Sequence, residues 1–405
     1  MASNQTPTLP ALDSMRAVAA LAVLITHVSF WSGAYARSLT GPALARLDIG
    51  VAIFFVLSGF LLSRPWLSRW SRRQQAPTTG RYLWKRALRI FPVYVLAVVA
   101  ALTLLPENDG ASPATWVKTL LLGNIYLDNR LPAGLTQMWS LATEVAFYVV
   151  LPALMWLVLP RRPSSGSPRN RIAVTVAALV ALNVAWVLVL APALDTDHSN
   201  PALWLPSFLT WFAVGIVIAA CSVDVHRGEQ DHAVGIGRVT FAVRQLGLSP
   251  GICWTAALAL FAISATPLAG PISLTSPTLG EALVKNLLYA GAAGLMILPG
   301  VFAPPTSAFV RAMSWPLLRH LGHVSYGVFC VHVIIIELVA RWLDLPLFEG
   351  HWLELFALTL VLSLAVAEAL YWLVERPMMR FKDLDIGPGS RSTASSTPKA
   401  AATRS

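Results

Sequence analysis

The chain has 405 residues, 56% of them hydrophobic and 12% charged, with a mean hydropathy of +0.63. Soluble domains carry about 25% charged residues, so a soluble globule is excluded, as is a disordered chain outside the tail. The net charge of +10 and pI ≈ 9.9 invite a nucleic-acid reading, but the basic residues sit in alternate loops between apolar runs, the pattern of a membrane protein and not of a nucleic-acid binder.

A helical span takes about 20 apolar residues. Apolar runs at 10–32, 47–67, 84–105, 138–159, 172–193, 204–221, 251–269, 281–303, 322–344 and 351–374 predict ten transmembrane helices in an all-α polytopic bundle. A further run at 115–127 is too short to span and reads as re-entrant or interfacial. The run Ala17–Val28 has the length of a secretory h-region, and Ala34-Tyr35-Ala36 has the look of a cleavage site. No basic segment precedes Asp13, however, and His27 interrupts the run, so it is read as an uncleaved first span.

The loops orient the bundle. The second holds Arg64, Arg69, Arg72, Arg73, Arg81, Lys85, Arg86 and Arg89 without an acid among them. The fourth, sixth and eighth add Arg161, Arg162, Arg169, Arg171, Arg227, Arg238, Arg244, Arg311 and Arg319. Acids dominate the alternate loops, with Glu107, Asp109, Asp128, Asp195, Asp197 and Glu349. The positive-inside rule then places the basic side, and with ten spans both termini, in the cytoplasm. Residues 1–384 form one membrane domain, and residues 385–405, rich in Ser, Thr, Ala and Pro, form a disordered cytoplasmic tail. Cys221, Cys253 and Cys330 lie far apart in apolar surroundings, so neither a disulfide framework nor a metal site is expected.

Polar side chains inside spans are costly and therefore mark candidate sites. Arg16 and His27 are eleven positions apart on the first span. That is roughly 1100° of helical rotation, close to whole turns, and about 16 Å of rise, so they share a face at different depths. Arg16 lies at the inner mouth and equally fits a snorkelling anchor. His27 lies in the outer half. A neutral imidazole is cheaper to bury than a charge and titrates near physiological pH, which suits a general base. An interhelical hydrogen bond is the plainer role. Arg86 and Arg89, at i and i+3, present two guanidiniums on one helix face and could fork onto phosphate oxygens of a nucleotide-like substrate. Glu144 enters the fourth span from outside, at a depth that permits contact with His27 or with another base. His332, Glu337, Glu368 and Glu375 carry less weight and could line a cavity or pair with one another, and Gly59 after Ser58 reads as a helix-packing site.

Taken in order, several segments resemble acyltransferase family 3 of multi-pass membrane proteins. Leu12–Ala20 (LDSMRAVAA) is similar to its opening LDGLRAIAA, with Ser14 in place of the usual Gly, and Arg16-x10-His27 matches its Arg/Lys-x10-His signature. Gly50–Phe60 (GVAIFFVLSGF) resembles its second-span signature, and Arg86-x2-Arg89 in RALRIFPVY its RxxR element. Trp139–Tyr148 (WSLATEVAFY) resembles WSLsvEeqFY, with Ala146 where a second polar residue commonly follows the Glu. Leu321–His332 (LGHVSYGVFCVH) and Val374–Pro377 (VERP) resemble the late LGxxSYxxYLxH segment and the closing ERP. The resemblance implies a plasma-membrane enzyme that moves an acyl group, acetyl above all, from acyl-CoA to a hydroxyl of a sugar, a cell-surface glycan or glycolipid, or an antibiotic-type glycoside. In that setting His27 is the base, Arg16 and Glu144 orient groups or stabilise charge, and Arg86 and Arg89 contact the donor, with no metal required. A proton-coupled transporter or flippase is the rival, since carriers also use intramembrane Arg, His and Glu. No inverted repeat or paired broken helices favours it.

Overall fold

The computed structural model describes residues 9–159, 168–230, 236–272 and 275–384. The expected tail and the loop bases Arg161 and Arg162 lie outside them. The described residues form a helical bundle without a strand; their one isolated bridge joins Thr196 and Ser199. Numbering the long helices in chain order gives α1 (Pro10–Ser32), α2 (Ile49–Ser71), α3 (Thr79–Leu104), α4 (Met138–Val158), α5 (Pro168–Ala185), α6 (Leu209–Gln230), α7 (Arg238–Gly247), α8 (Pro250–Ser264), α9 (Leu279–Phe302), α10 (Pro316–Trp342) and α11 (Trp352–Leu370).

Nine of the described helices are long and apolar enough to cross a membrane, and α7 with α8 makes a tenth span if that bent pair is counted as one. The two pieces meet at 91°, and the helix within the run expected at 251–269 covers Pro250–Ser264. Pro250 starts α8, so its missing N–H and fixed φ begin a new helix rather than extend α7. The run expected to be re-entrant or interfacial contains the short helices Pro113–Leu120 and Asn124–Leu127. Arg64 and Arg69, expected in a loop, lie on α2, which continues past the apolar run to Ser71.

Burial separates inner from outer helices. The apolar window of α10 is 83% buried and that of the α5 span 6%, so α10 is the axis of the bundle and α5 faces its surroundings. Large apolar side chains such as Trp156, Val174 and Leu373 are exposed, the arrangement expected where hydrocarbon replaces water. Helices approach where glycine permits it. A Cβ on Gly322 would lie 1.9 Å from the Asp13 carbonyl oxygen, locking α10 against α1, and one on Gly59 would lie 2.3 Å from that of Phe212, bringing α2 onto α6. The first of these contacts sets α1 against α10, and the second seats α2, which carries Ser58 beside Gly59, on α6. At the opposite end from the basic loops, buried Arg46 donates to the carbonyls of Ser264 (2.7 Å), Ala269 (2.9 Å) and Gly270 (2.6 Å), pinning the loop after α8. Cys221, Cys253 and Cys330 are buried free thiols.

Candidate active site

Four of the five residues singled out from the sequence line one cavity. Arg16 comes from α1, Arg86 and Arg89 from α3, and Glu144 from α4; α2 supplies Ser58 and α10 supplies Tyr326 and Phe329. Its volume is ≈ 100 Å³, room for several waters or a narrow chain but not a whole cofactor. Three guanidiniums would repel one another unless acids compensate them, and the structure shows which acids do. Arg89 is ion-paired with buried Glu375. Arg16 reaches Asp13 Oδ1 at 3.4 Å, while the other Asp13 oxygen lies 3.8 Å from Arg319 and 3.6 Å from His323. Glu144 accepts a hydrogen bond from the Ser58 hydroxyl. Arg86 has no carboxylate within ion-pair distance among the described residues, and its buried Nε has no hydrogen-bond partner there. A buried donor without an acceptor is costly. An anionic or carbonyl-bearing ligand in the cavity would remove that cost.

His27 does not line this cavity. Its partner is His332 of α10, whose Nε2 is 3.2 Å from His27 Nδ1, with the ring centroids 5.0 Å apart. Backbone carbonyls decide which nitrogens carry protons, because a carbonyl can only accept. His332 Nδ1 faces the carbonyls of Val328 (3.1 Å) and Phe329 (2.9 Å) and therefore bears the hydrogen, which leaves Nε2 of the neutral ring as an acceptor. His27 Nδ1 faces the Val23 carbonyl at 2.8 Å and so is also protonated, able to donate to that carbonyl and to His332 Nε2 together. The remaining nitrogen, His27 Nε2, carries the lone pair and has no hydrogen-bond partner among the described residues.

Arg16 lines a cavity to which α10 contributes Tyr326, and His27 meets His332 of α10. Glu144 meets the arginines and Ser58 rather than His27. The join between the two regions is Phe329, which lines the cavity, stands edge-on to Phe54 at 6.2 Å, and lies 6.2 Å from the His332 ring. The polar residues given less weight in the sequence each find a separate partner. Glu337 accepts from the Gly134 N–H at 2.7 Å, Glu368 pairs with His320 at 2.8 Å and accepts from Trp372 Nε1 at 2.6 Å, and Glu375 holds Arg89. Sequence reasoning missed Ser58 as the Glu144 partner and Phe329 as the join; Ser58 stood in a quoted motif but was overshadowed by its glycine neighbour. No group of three or more His, Cys, Asp or Glu placed to hold a metal occurs among the described residues.

Residues 9–372 match the family model described as an acyltransferase domain. The chain belongs to this family of acyl-group transferases. Its curated relatives include the peptidoglycan O-acetyltransferase OatA of Listeria monocytogenes, 25% identical over 397 residues, which cover 92% of this chain and 56% of the relative. Acyltransferase MdmB of Streptomyces mycarofaciens is 27% identical over 407 residues, covering 92% of both chains. O-acetyltransferase OatA of Staphylococcus aureus is 23% identical over 410 residues, 95% of this chain and 60% of the relative. The chain thus spans a little over half the length of the OatA relatives and nearly all of MdmB. No solved structure matches it.

Proposed function

We propose that this membrane protein of the acyltransferase family transfers an acyl group, acetyl in the simplest case, from acyl-CoA to a hydroxyl of a sugar-bearing acceptor at the plasma membrane. The names of the OatA relatives support an O-acyl transfer, and the one named for peptidoglycan points to a glycan acceptor. The observation that carries the donor assignment is Arg86, a half-buried guanidinium among compensated ones, whose buried Nε has no hydrogen-bond partner among the described residues and can take an anionic group of the donor. Arg89 and Arg16 add positive potential around it, and Glu144, held by Ser58, keeps the cluster from flying apart when the cavity is empty.

His27 Nε2 takes the proton of the acceptor hydroxyl as its oxygen attacks the thioester carbonyl. The new C–O bond forms, the C–S bond breaks, and the imidazolium returns its proton to the departing thiolate. His332 positions this base by accepting from the Nδ1–H, the role a carboxylate plays in hydrolase triads. Attack by His27 itself, through an acyl-histidine, uses the same lone pair. In either course the thioester passes the Phe54–Phe329 pair to reach the ring.

The test is purified protein with labelled acetyl-CoA and glycan or glycoside acceptors. Release of CoA with the label on the acceptor is the expected result. Transport or flipping of the acceptor with the thioester intact would establish the carrier reading instead.

A further inference from the structure

At the end of the bundle opposite the basic loops, α1 and α10 continue past the histidine pair and frame a second pocket. Trp31 stands four residues beyond His27 and Glu337 five beyond His332, which is roughly 6–8 Å further along each helix. Arg341 follows on α10, Asp344 on the loop after it, and Glu107 comes from the short turn Pro106–Asn108 after α3. The space is ≈ 350 Å³, within the range of about 300–1,000 Å³ typical of small-molecule sites.

Both walls are fixed by hydrogen bonds. The Phe348 N–H donates to the Trp31 carbonyl at 2.8 Å and the Gly350 N–H to that of Ser32 at 2.9 Å, tying the loop after α10 to the end of α1. On the other side, buried Asn108 donates to the Ala133 carbonyl at 3.1 Å and accepts from the Ala133 N–H at 3.0 Å. The next residue, Gly134, donates its N–H to Glu337 Oε1 at 2.7 Å.

The charges inside do not balance. Among the described residues Arg341 is the one arginine or lysine lining the pocket, and it is taken up by both oxygens of Glu107, at 2.6 and 2.7 Å. Asp344 is exposed and needs no partner. Glu337 is different: it is 7% exposed, and among the described residues its Oε2 has neither a hydrogen-bond donor nor a cation within ion-pair distance. A buried carboxylate with a single donor for its two oxygens is costly, and a cationic donor in the pocket would remove that cost. Half-buried Trp31 adds an indole, the aromatic ring that best attracts a cation. An anionic group would meet Glu337 and Asp344 as like charges.

We propose that this pocket binds an ammonium group carried by the acceptor sugar, with Glu337 as its ion-pair partner and Trp31 against it. The sugar rests on the acyl-transfer reading; the ammonium site rests on the pocket alone.

The experiment measures equilibrium binding to the full chain in detergent, without acyl donor and at matched ionic strength, of protonated glucosamine, N-acetylglucosamine and ethanolamine. Glucosamine should bind at least about tenfold more tightly than N-acetylglucosamine, which keeps the ring and loses the charge, the difference expected for one charge-assisted hydrogen bond. Glu337→Gln, which retains an oxygen for the Gly134 N–H, should bring the two sugars to equal affinity. Equal affinities in the wild type, no binding of glucosamine, or an undiminished preference in the variant overturn the proposal. Ethanolamine binding as tightly as glucosamine overturns the assignment to a sugar. If Glu337→Gln does not fold, Trp31→Leu provides the comparison, and an unchanged preference there overturns the proposal equally. Labelled acetyl-CoA is then added. Selective binding without transfer upholds the ammonium site and counts against the acyl-transfer reading, and transfer to both sugars without selectivity does the reverse.

Discussion

In the arginine cavity, the charged side chains come from α1, α3 and α4; Arg16 has Asp13 on its own helix, but Glu144 and Arg89 find their partners on other segments, Ser58 on α2 and Glu375 beyond α11. In the histidine pair, each ring is fixed by a carbonyl three or four residues back on its own helix, and one contact then joins the rings. The cavity is therefore an assembly of charges that depends on distant elements, whereas the pair is set mainly by local helical geometry. The difference matches the chemistry proposed for each. Charge binds an anion and tolerates some adjustment, while a base needs a lone pair at a defined atom and direction.

The sharpest break of this comparison is His27→Ala. It should reduce acyl transfer by about 10²–10⁴-fold, the usual contribution of a general base, while size-exclusion and helical content remain those of the wild type. Transfer at the wild-type rate would remove the imidazole from the reaction and leave the cavity as the whole site.

Next is His332→Ala, expected to lower kcat by about 10–10²-fold, in the range seen for partners that orient a functional histidine. KM for the donor should not move, since His332 is not among the cavity-lining residues. A merely structural role predicts additive damage. A positioning role predicts that the His27→Ala/His332→Ala protein is no worse than His27→Ala alone, because residues acting as one unit are not additive.

These two histidines also show how far the sequence could be read. Hydropathy delivered the long helices, because twenty apolar residues have one low-energy arrangement in lipid. The spacing of Arg16 and His27 gave their common face, and four of the five candidate residues meet in one cavity. Partners separated by long stretches of chain left no local trace: Ser58 with Glu144, Glu375 with Arg89, and His332 with His27 are 86, 286 and 305 positions apart. A helical period relates residues on one helix and says nothing about which face of a second helix it meets. The bend between α7 and α8 was hidden for a different reason. The run after Pro250 is apolar enough to suggest a full span, but at Ser264 it ends after only 15 residues.

The cavity is tested by Arg86→Gln and Arg89→Gln. Each should raise KM for acyl-CoA by about tenfold, the worth of one charge-assisted hydrogen bond, with little change in KM for the acceptor. Arg86→Gln should do so without loss of stability, since its guanidinium has no carboxylate partner among the described residues. Arg89→Gln should also lower the unfolding midpoint, because it strands Glu375, which is 2% exposed. Equal effects on donor and acceptor would contradict the division between a charged donor chamber and a neutral base.

The smallest expected effect lies at the join. Phe329→Leu removes the ring that faces both the cavity and His332 while keeping an apolar side chain. If the thioester must pass this side chain, the smaller residue should change kcat by only a few-fold for acetyl donors, yet raise the relative rate with longer acyl chains, because added space discriminates by one methylene at about 1–3 kcal/mol. Competition assays with acetyl-, propionyl- and butyryl-CoA measure that ratio directly. An unchanged ratio would mean that the acyl group reaches His27 by a route that avoids Phe329, and the cavity and the histidine pair would then have to be joined through α1, the helix that carries both Arg16 and His27.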